Sequence, residues 1–290
     1  MIGMKKMKMQ KQGPTPFIKW VGGKRQLLTE LEKYYPQDFH RYFEPFIGGG
    51  ANLLNFLPKR AVINDFNEEL VNAWQVVKEQ PEELINLIEN HASNDSKEYY
   101  LDVRLADRDG RLARMSLVER AARFIYLNKA GFNGLWRVNS KGQNNVPYGA
   151  HKTVNVPVDA IRSDHHYLAS NDVKILQGDY QAAVAGAKEN DFVYFDPPYI
   201  PVNQTAAFTS YTKNGFGLAQ QEELRDLALK LANRGVKVML SNSDVPLIEQ
   251  LYSERQFHIH HVQARRSVNS KGNKRGKVGE VIITTYGEES

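Results

Sequence analysis

Five short apolar runs rich in β-favouring residues, at 41–44, 61–64, 173–177, 191–195 and 236–240, constrain this chain most, because helical stretches rather than tight turns separate most of them. Strands that alternate with helices make an α/β fold, whose ligands meet the carboxyl ends of the strands. Two further runs, 257–262 and 281–286, close the chain as an expected antiparallel pair. Between Glu68 and about Ser170 the pattern is helical: Leu70, Trp74 and Val77 share a face, then Leu84, Leu87 and Ile88. A helix expected over Arg111–Asn128 aligns Leu112, Met115, Val118, Ala122 and Ile125. So long a helical stretch between strands argues for an inserted domain at 70–170, with 14–69 and 171–290 as the body around it and 1–13 as a flexible basic leader.

The run Asp191-Phe192-Val193-Tyr194-Phe195 ends abruptly in Asp196-Pro197-Pro198-Tyr199. A strand stopped by an acid, two prolines and an aromatic ring is either a plain turn or a site. The exocyclic amine of a nucleobase is a poor nucleophile because its lone pair is delocalised into the ring, and acceptors on its two hydrogens would localise that pair. Asp196 supplies a carboxylate, and the Pro197 carbonyl, stiffened by rings that fix φ, supplies a second acceptor. Tyr199 offers a stacking platform worth roughly 1–3 kcal/mol per base, which offsets much of the cost of unstacking one from a duplex.

Two glycine turns precede that strand. Trp20-Val21-Gly22-Gly23-Lys24 runs into a helix expected to start near Lys24; its backbone N–H groups suit an anion, or Trp20 simply anchors a loop in the core. Phe43-Glu44-Pro45-Phe46-Ile47-Gly48-Gly49-Gly50 reads as strand, tight turn and helix from Ala51 to Leu57, without the G-x-G-x-x-G spacing of a dinucleotide site. The next strand ends at Asp65, placed to accept from ribose hydroxyls or to cap the helix that begins at Glu68. A third strand ends at Gly178-Asp179.

Within the helical interval, Asn128-Lys129-Ala130-Gly131-Phe132-Asn133-Gly134-Leu135-Trp136-Arg137-Val138-Asn139 interleaves glycine, asparagine, aromatic rings and arginine. Arg137 suits a guanine edge and asparagine an adenine edge; alternatively the loop packs Phe132 and Trp136 into the helices. The net charge is +5, and from Arg255 to Lys277 there is no acid, with Arg265, Arg266, Lys271, Lys274 and Arg275 in that interval. Such a field suits phosphate, and equally a solvated hairpin loop. Cysteine is absent, which excludes disulfides, cysteine-ligated zinc and the covalent cysteine route to cytosine C5 methylation. The eight histidines form no convincing metal set, since adjacent His260 and His261 face opposite sides of a strand. No apolar run is long enough for a transmembrane helix, and the leader lacks the apolar core of a signal peptide.

Together, Lys19-Trp20-Val21-Gly22-Gly23-Lys24, Phe43–Gly50, Phe132–Asn139, Asn145-Val146-Pro147-Tyr148-Gly149 and Asp196–Tyr199 resemble the N6-adenine-specific DNA methyltransferases of the Dam type, in the family's order and from about Pro14 to the C-terminus. The nearest likeness is to the GATC-modifying enzymes of bacterial restriction systems. The resemblance implies a Rossmann-like, S-adenosylmethionine-dependent sheet with an inserted helical DNA-recognition domain. It implies a donor site with contacts at Trp20, Lys24, Asp65 and Asp196, joined by Gly22, Gly23, Glu44, Phe46, Gly48, Gly49, Gly50 and Asp179. The target adenine would be flipped from double-stranded DNA, its amine donating to Asp196 and the Pro197 carbonyl, with Pro198 in the same catalytic turn and Tyr199 stacked on the base. The methyl would pass directly, in line, without a covalent intermediate. Lys19, Phe132, Asn133, Leu135, Arg137 and Asn139 would lie near the bases, and the basic interval near phosphate. A restriction endonuclease as functional counterpart and a cytoplasmic location are further expectations.

Three rivals remain. Cytosine N4 methylation uses the same acceptor chemistry but more often resembles Ser-Pro-Pro-Tyr; glutamine-amide methylation of protein would place Asn first. A silent DNA-binding protein of the same fold would have little need of Lys24, Asp65 and an intact Asp196–Tyr199 together.

Overall fold

The computed structural model describes residues 13–24, 26–201, 216–265 and 277–287. Strands β1 (Tyr42–Glu44), β2 (Arg60–Asp65), β3 (Asp172–Gln177), β4 (Phe192–Phe195), β5 (Lys237–Ser243), β6 (His258–Arg265) and β7 (Lys277–Thr284) form one seven-stranded sheet in the order β3-β2-β1-β4-β5-β7-β6. The first five are parallel, and β7 lies antiparallel between β5 and β6. The chain leaves β1 for β2 on one side and reaches β4 on the other, so a crevice opens at the carboxyl ends of β1 and β4. The helices are α1 (Leu28–Glu32), α2 (Ala51–Phe56), α3 (Glu68–Glu79), α4 (Pro81–Ser93), α5 (Lys97–Leu105), α6 (Leu117–Ala130), α7 (Val158–Ser170), α8 (Tyr180–Val184), α9 (Leu218–Ala232) and α10 (Pro246–Leu251).

A parallel strand covered on both faces is apolar at every position rather than at alternate ones. β4 is such a strand: all four residues are buried, Phe192 and Tyr194 in one core and Val193 and Phe195 in the other. The first core packs α3, α4, α7 and the N-terminal half of α6 on the sheet through Trp74, Ile88, Leu168 and Phe124. The second packs α8, α9 and α10 through Val184, Leu224 and Ile248. Much of the helical interval therefore shares the sheet's own core. A small separate cluster of Tyr100, Val103, Tyr126, Leu127, Ala130 and Val154 joins α5, the end of α6 and the segment after it.

Two helix starts differ from the sequence-based expectation. The helix expected from Lys24 begins at Leu28, because Gly22 turns the chain at φ +82° and the Lys24 ammonium bends back to the Gly22 carbonyl at 2.8 Å. The helix expected over Arg111–Asn128 is interrupted: Leu112–Arg114 is a 3₁₀ turn, and Ser116 starts α6 afresh by a reciprocal capping box with Glu119. At the start of α2, Gly50 stands at φ +70°, and a Cβ there would lie 2.5 Å from the Trp74 ring, so both backbone and space demand glycine.

The central strand carries a buried acid. Glu44 accepts from the Tyr42 hydroxyl at 2.7 Å, Tyr42 accepts from Asn52 Nδ2 at 2.7 Å, and the Tyr35 hydroxyl donates to Asn52 Oδ1. This chain pins α2 and the segment after α1 to β1. Burial pushes the Glu44 carboxyl up to about 8, against the pull of the Tyr42 hydroxyl, and Asp196 nearby adds to the rise. A carboxyl raised in this way holds its proton in the folded state while the unfolded chain has lost it. Its contribution is full below the ordinary value of 4.5 and is lost as pH rises through about 8. Glu44→Gln should therefore gain stability relative to wild type by roughly 1–3 kcal/mol between about pH 5.5 and 7.5, measured as the difference in urea unfolding free energy; a pH-independent difference contradicts this.

Candidate active site

Directly after β4, Asp196 meets Lys24 in an ion pair of 2.9 Å, with side chains 19% and 8% exposed. The same ammonium sits 4.2 Å from the centre of the Tyr199 ring, a cation–π contact that holds ring and acid together. Ser241, at the end of β5, also donates to Asp196 Oδ1 at 2.9 Å, and the Tyr194 hydroxyl lies 3.0 Å behind it. Burial pushes the Asp196 carboxyl up, while Lys24 and Ser241 pull it back. Lys24 and Ser241 converge on Oδ1; among the described residues nothing donates to Oδ2 or to the Pro197 carbonyl. The turn thus presents two acceptors and an aromatic ring, the set that an exocyclic amine requires. Tyr199 itself donates to Glu280 Oε2 on β7 at 3.1 Å.

Acids stand at the carboxyl ends of four neighbouring strands: Glu44 ends β1, Asp65 ends β2, Asp179 follows β3 and Asp196 follows β4. Asp65 accepts from Asn67 N–H at 3.0 Å and Gly48 N–H at 3.1 Å, which ties the glycine turn to β2. It does not cap α3; Asn67 does, by accepting from Leu70 N–H at 3.1 Å. Burial pushes the Asp65 carboxyl up, opposed by those backbone donors. Trp20 packs directly on the glycine turn, where a Cβ on Gly48 would lie 2.7 Å from its ring. Phe46 stacks on Tyr180 at 5.1 Å. Asp179 caps α8 by accepting from Gln181 and Ala182 N–H. Phe66, beside Asp65, is 82% exposed. With Glu44 holding its proton, Asp65, Asp179 and Asp196 at neighbouring strand ends still outnumber Lys24 and suit a cationic ligand, and Phe66 and Asp65 offer a ring face and acceptors such as a nucleoside uses. The crevice therefore fits a nucleoside that bears a sulfonium.

The glycine–aromatic segment follows α6 as an irregular hairpin. Gly131 bridges to Tyr148, and Val138 to Asn144. Trp136 packs on Phe124 at 4.4 Å, whereas Phe132 is 52% exposed beside Asn133 at φ +57°. The alternative of both rings packed inward holds for Trp136 only. Asn128, fully buried, grips Lys19 by accepting from its N–H at 3.2 Å and donating to its carbonyl at 2.9 Å, and donates also to Gly134 O at 3.0 Å. Lys19 Nζ donates to Asn133 O at 2.6 Å. The segment that carries Trp20 and Lys24 is thereby tied to the exposed turn. Leu135 is half-buried. Arg137 is exposed and donates to Asn145 Oδ1 at 2.7 Å. Asn139 closes the hairpin tip by accepting from Lys141 and Gln143 N–H. Tyr148 and Tyr126 both donate to Asp95, fixing the hairpin's return strand against the helices.

Of the basic interval, the side chains of Arg265, Arg266, Lys271, Lys274 and Arg275 lie outside the described residues, as do the leader through residue 12 and residues 202–215. Among the described residues no group of His, Asp and Glu could hold a metal ion. The structure adds Ser241, Asn242, Gln221, Glu280 and Phe66 to the site. Their signal in the sequence is faint. Ser241-Asn242-Ser243 is a polar end on an apolar strand, and Phe66 is a single ring between an acid and a helix cap.

Residues 20–268 match the family described as D12 class N6 adenine-specific DNA methyltransferase. The chain is 52% identical over 273 residues to the type II methyltransferase M1.LlaDCHI of Lactococcus lactis subsp. cremoris, covering 94% of this chain and 95% of that one. It is 41% identical to the type II methyltransferase M.MjaIII of Methanocaldococcus jannaschii, covering 93% and 99%, and 36% identical to the DNA adenine methylase of Haemophilus influenzae, covering 92% of each. Methyltransferases of this family take their methyl group from S-adenosylmethionine. With its switch-point crevice, its acid-lined strand ends and this match along most of its length, the chain belongs to the D12 class of N6 adenine-specific DNA methyltransferases.

Proposed function

We propose that this methyltransferase modifies adenine within GATC in double-stranded DNA, and that it flips the adenine out of the duplex to do so. The observation that carries the chemistry is the pair of acceptors, Asp196 Oδ2 and the Pro197 carbonyl, that have no donor among the described residues and stand in the same turn as the Tyr199 ring. Both hydrogens of an extrahelical amine have partners there, and its base has a face to stack on. S-adenosylmethionine supplies an electrophilic methyl on a sulfonium. Trp20, Lys24, Asp65 and the 48–50 turn, with Gly22, Gly23, Glu44, Phe46 and Asp179, are the residues to hold it. The protein's share is alignment and electrostatics, since no side chain acts as a nucleophile. Asp196 rather than Ser or Asn at the head of the turn favours adenine over cytosine N4 or glutamine amide as acceptor.

The exposed Phe132 and Asn133, with Lys19, Leu135 and Arg137, form the base-reading surface, Asn139 shapes the hairpin that bears it, and the unit at 70–170 serves as recognition domain. Arg137 is braced by Asn145 in the manner of a guanidinium set to fork onto guanine. The GATC assignment rests on the family likeness. Pairing with an endonuclease follows from the type II relatives, and a cytoplasmic location from the substrate; no helix among the described residues is long and apolar enough to cross a membrane.

Labelled S-adenosylmethionine with two matched duplexes, one containing GATC and one with that site scrambled, tests this directly: label should enter only the first, as N6-methyladenine. Label on both, or on neither despite binding, refutes the assignment. Asp196→Ala should abolish turnover while leaving duplex affinity within a few-fold of wild type, and a near-normal rate would sink the acceptor mechanism. Arg137→Ala should relax discrimination at one base pair by roughly 1–3 kcal/mol, read from competition among single-substitution duplexes. Uniform weakening across all of them would mean that Arg137 touches phosphate alone.

A further inference from the structure

We propose that Gln221 and Asn242 are positioning residues for methyl transfer, clamping the Asp196–Tyr199 turn so that the Pro197 carbonyl stays aimed at the reacting amine. This rests on the acceptor-pair reading above. Gln221 lies in the first turn of α9 and Asn242 near the end of β5, and both are buried, at 0% and 1% exposure. Gln221 Nε2 donates to the Pro198 carbonyl at 2.9 Å. Its Oε1 accepts from Asn242 Nδ2 at 3.1 Å, and Asn242 Oδ1 accepts from Ile200 N–H at 3.0 Å and Ser243 N–H at 2.9 Å. The bonds run unbroken from the Pro198 carbonyl to the Ile200 amide, across two side chains from two different elements.

A carboxamide donates from one end and accepts at the other without charge, and burying two of them is costly unless every partner is present. The clamp holds the peptide group after Pro198. Because the Pro198 ring fixes φ, only ψ of that residue separates the held group from the plane of the Pro197 carbonyl. Ser241, next to Asn242 on β5, fixes Asp196 in the same way. The end of β5 therefore bears on both acceptors, on Asp196 through Ser241 and on Pro197 through Asn242 together with Gln221 of α9.

The test is single-turnover methylation of an unmethylated GATC duplex by Gln221→Met, which keeps the volume but not the donor, and by Gln221→Glu. Gln221→Met should slow the chemical step about tenfold or more, while dissociation constants for S-adenosylhomocysteine and duplex stay within about threefold. Gln221→Glu should recover rate, relative to wild type, as pH falls: its protonated carboxyl can donate to the Pro198 carbonyl, whereas the ionised form repels it. A Gln221→Met rate close to wild type overturns the clamp, as does a Gln221→Glu profile that parallels wild type at all pH values. Asp196→Ala is assayed beside them. If it retains its rate, the acceptor reading itself fails; if it is inactive while Gln221→Met is fully active, only the clamp fails.

Discussion

The Lys24–Asp196 ion pair holds the catalytic half of this molecule together. Both partners are largely removed from water, and a charge in such a place is costly without its counterpart, on the order of 3–5 kcal/mol when one partner is removed. The pair therefore draws the 20–24 turn, far away in sequence, onto the end of β4. That turn brings Trp20 down on the 48–50 turn, where the absence of side chains lets the ring approach the backbone. Asp65 then ties Gly48 to β2. Three strand ends are joined through one lysine, one indole and one carboxylate.

The same pair shapes the chemistry. Lys24 and Ser241 occupy a single oxygen of Asp196, so the other, which has no donor among the described residues, is still able to accept. The ammonium also lies against Tyr199, which ties the ring to the same lysine that pairs with the acid. Attraction from Lys24 counters the burial that raises the Asp196 carboxyl, which favours the ionised, acceptor-only form. In the proposed reaction a neutral acid would present a proton where the amine presents its own.

The Phe132–Asn139 hairpin and the 20–24 turn are mechanically continuous. Asn128 grips the backbone of Lys19 in both directions and holds Gly134 as well, so the exposed Phe132–Asn133 turn rests on the segment that ends in Lys24. Phe124 lies between Trp20 and Trp136, at 6.2 Å and 4.4 Å. The sharing of one core by the sheet and most of the helices gives this arrangement its stiffness.

Much of this architecture is legible in the order of residues along the chain. Strand β4 is apolar at every position because both of its faces are covered, and Asp196-Pro197-Pro198-Tyr199 interrupts it with residues that only a turn or a site tolerates. The glycines at 48–50 and the acid at Asp65 announce a strand-end crevice by local rules of backbone freedom and strand termination. Local rules misjudge where helices begin at Lys24 and Arg111, since a lysine drawn to a distant acid and a serine cap outweigh periodicity. They also miss Gln221, Ser241, Asn242 and Glu280, ordinary polar residues whose importance comes from the atoms they meet across the fold. The sequence by itself determined which groups are present: the acceptors, the ring, the glycine turns and the order of strands. Only the tertiary structure decided which oxygen of Asp196 lacks a donor among the described residues, which ring of the hairpin is exposed and which side chains the Asp196–Tyr199 turn is bonded to. Those depend on distances between residues remote in sequence, and a one-dimensional pattern does not carry such distances.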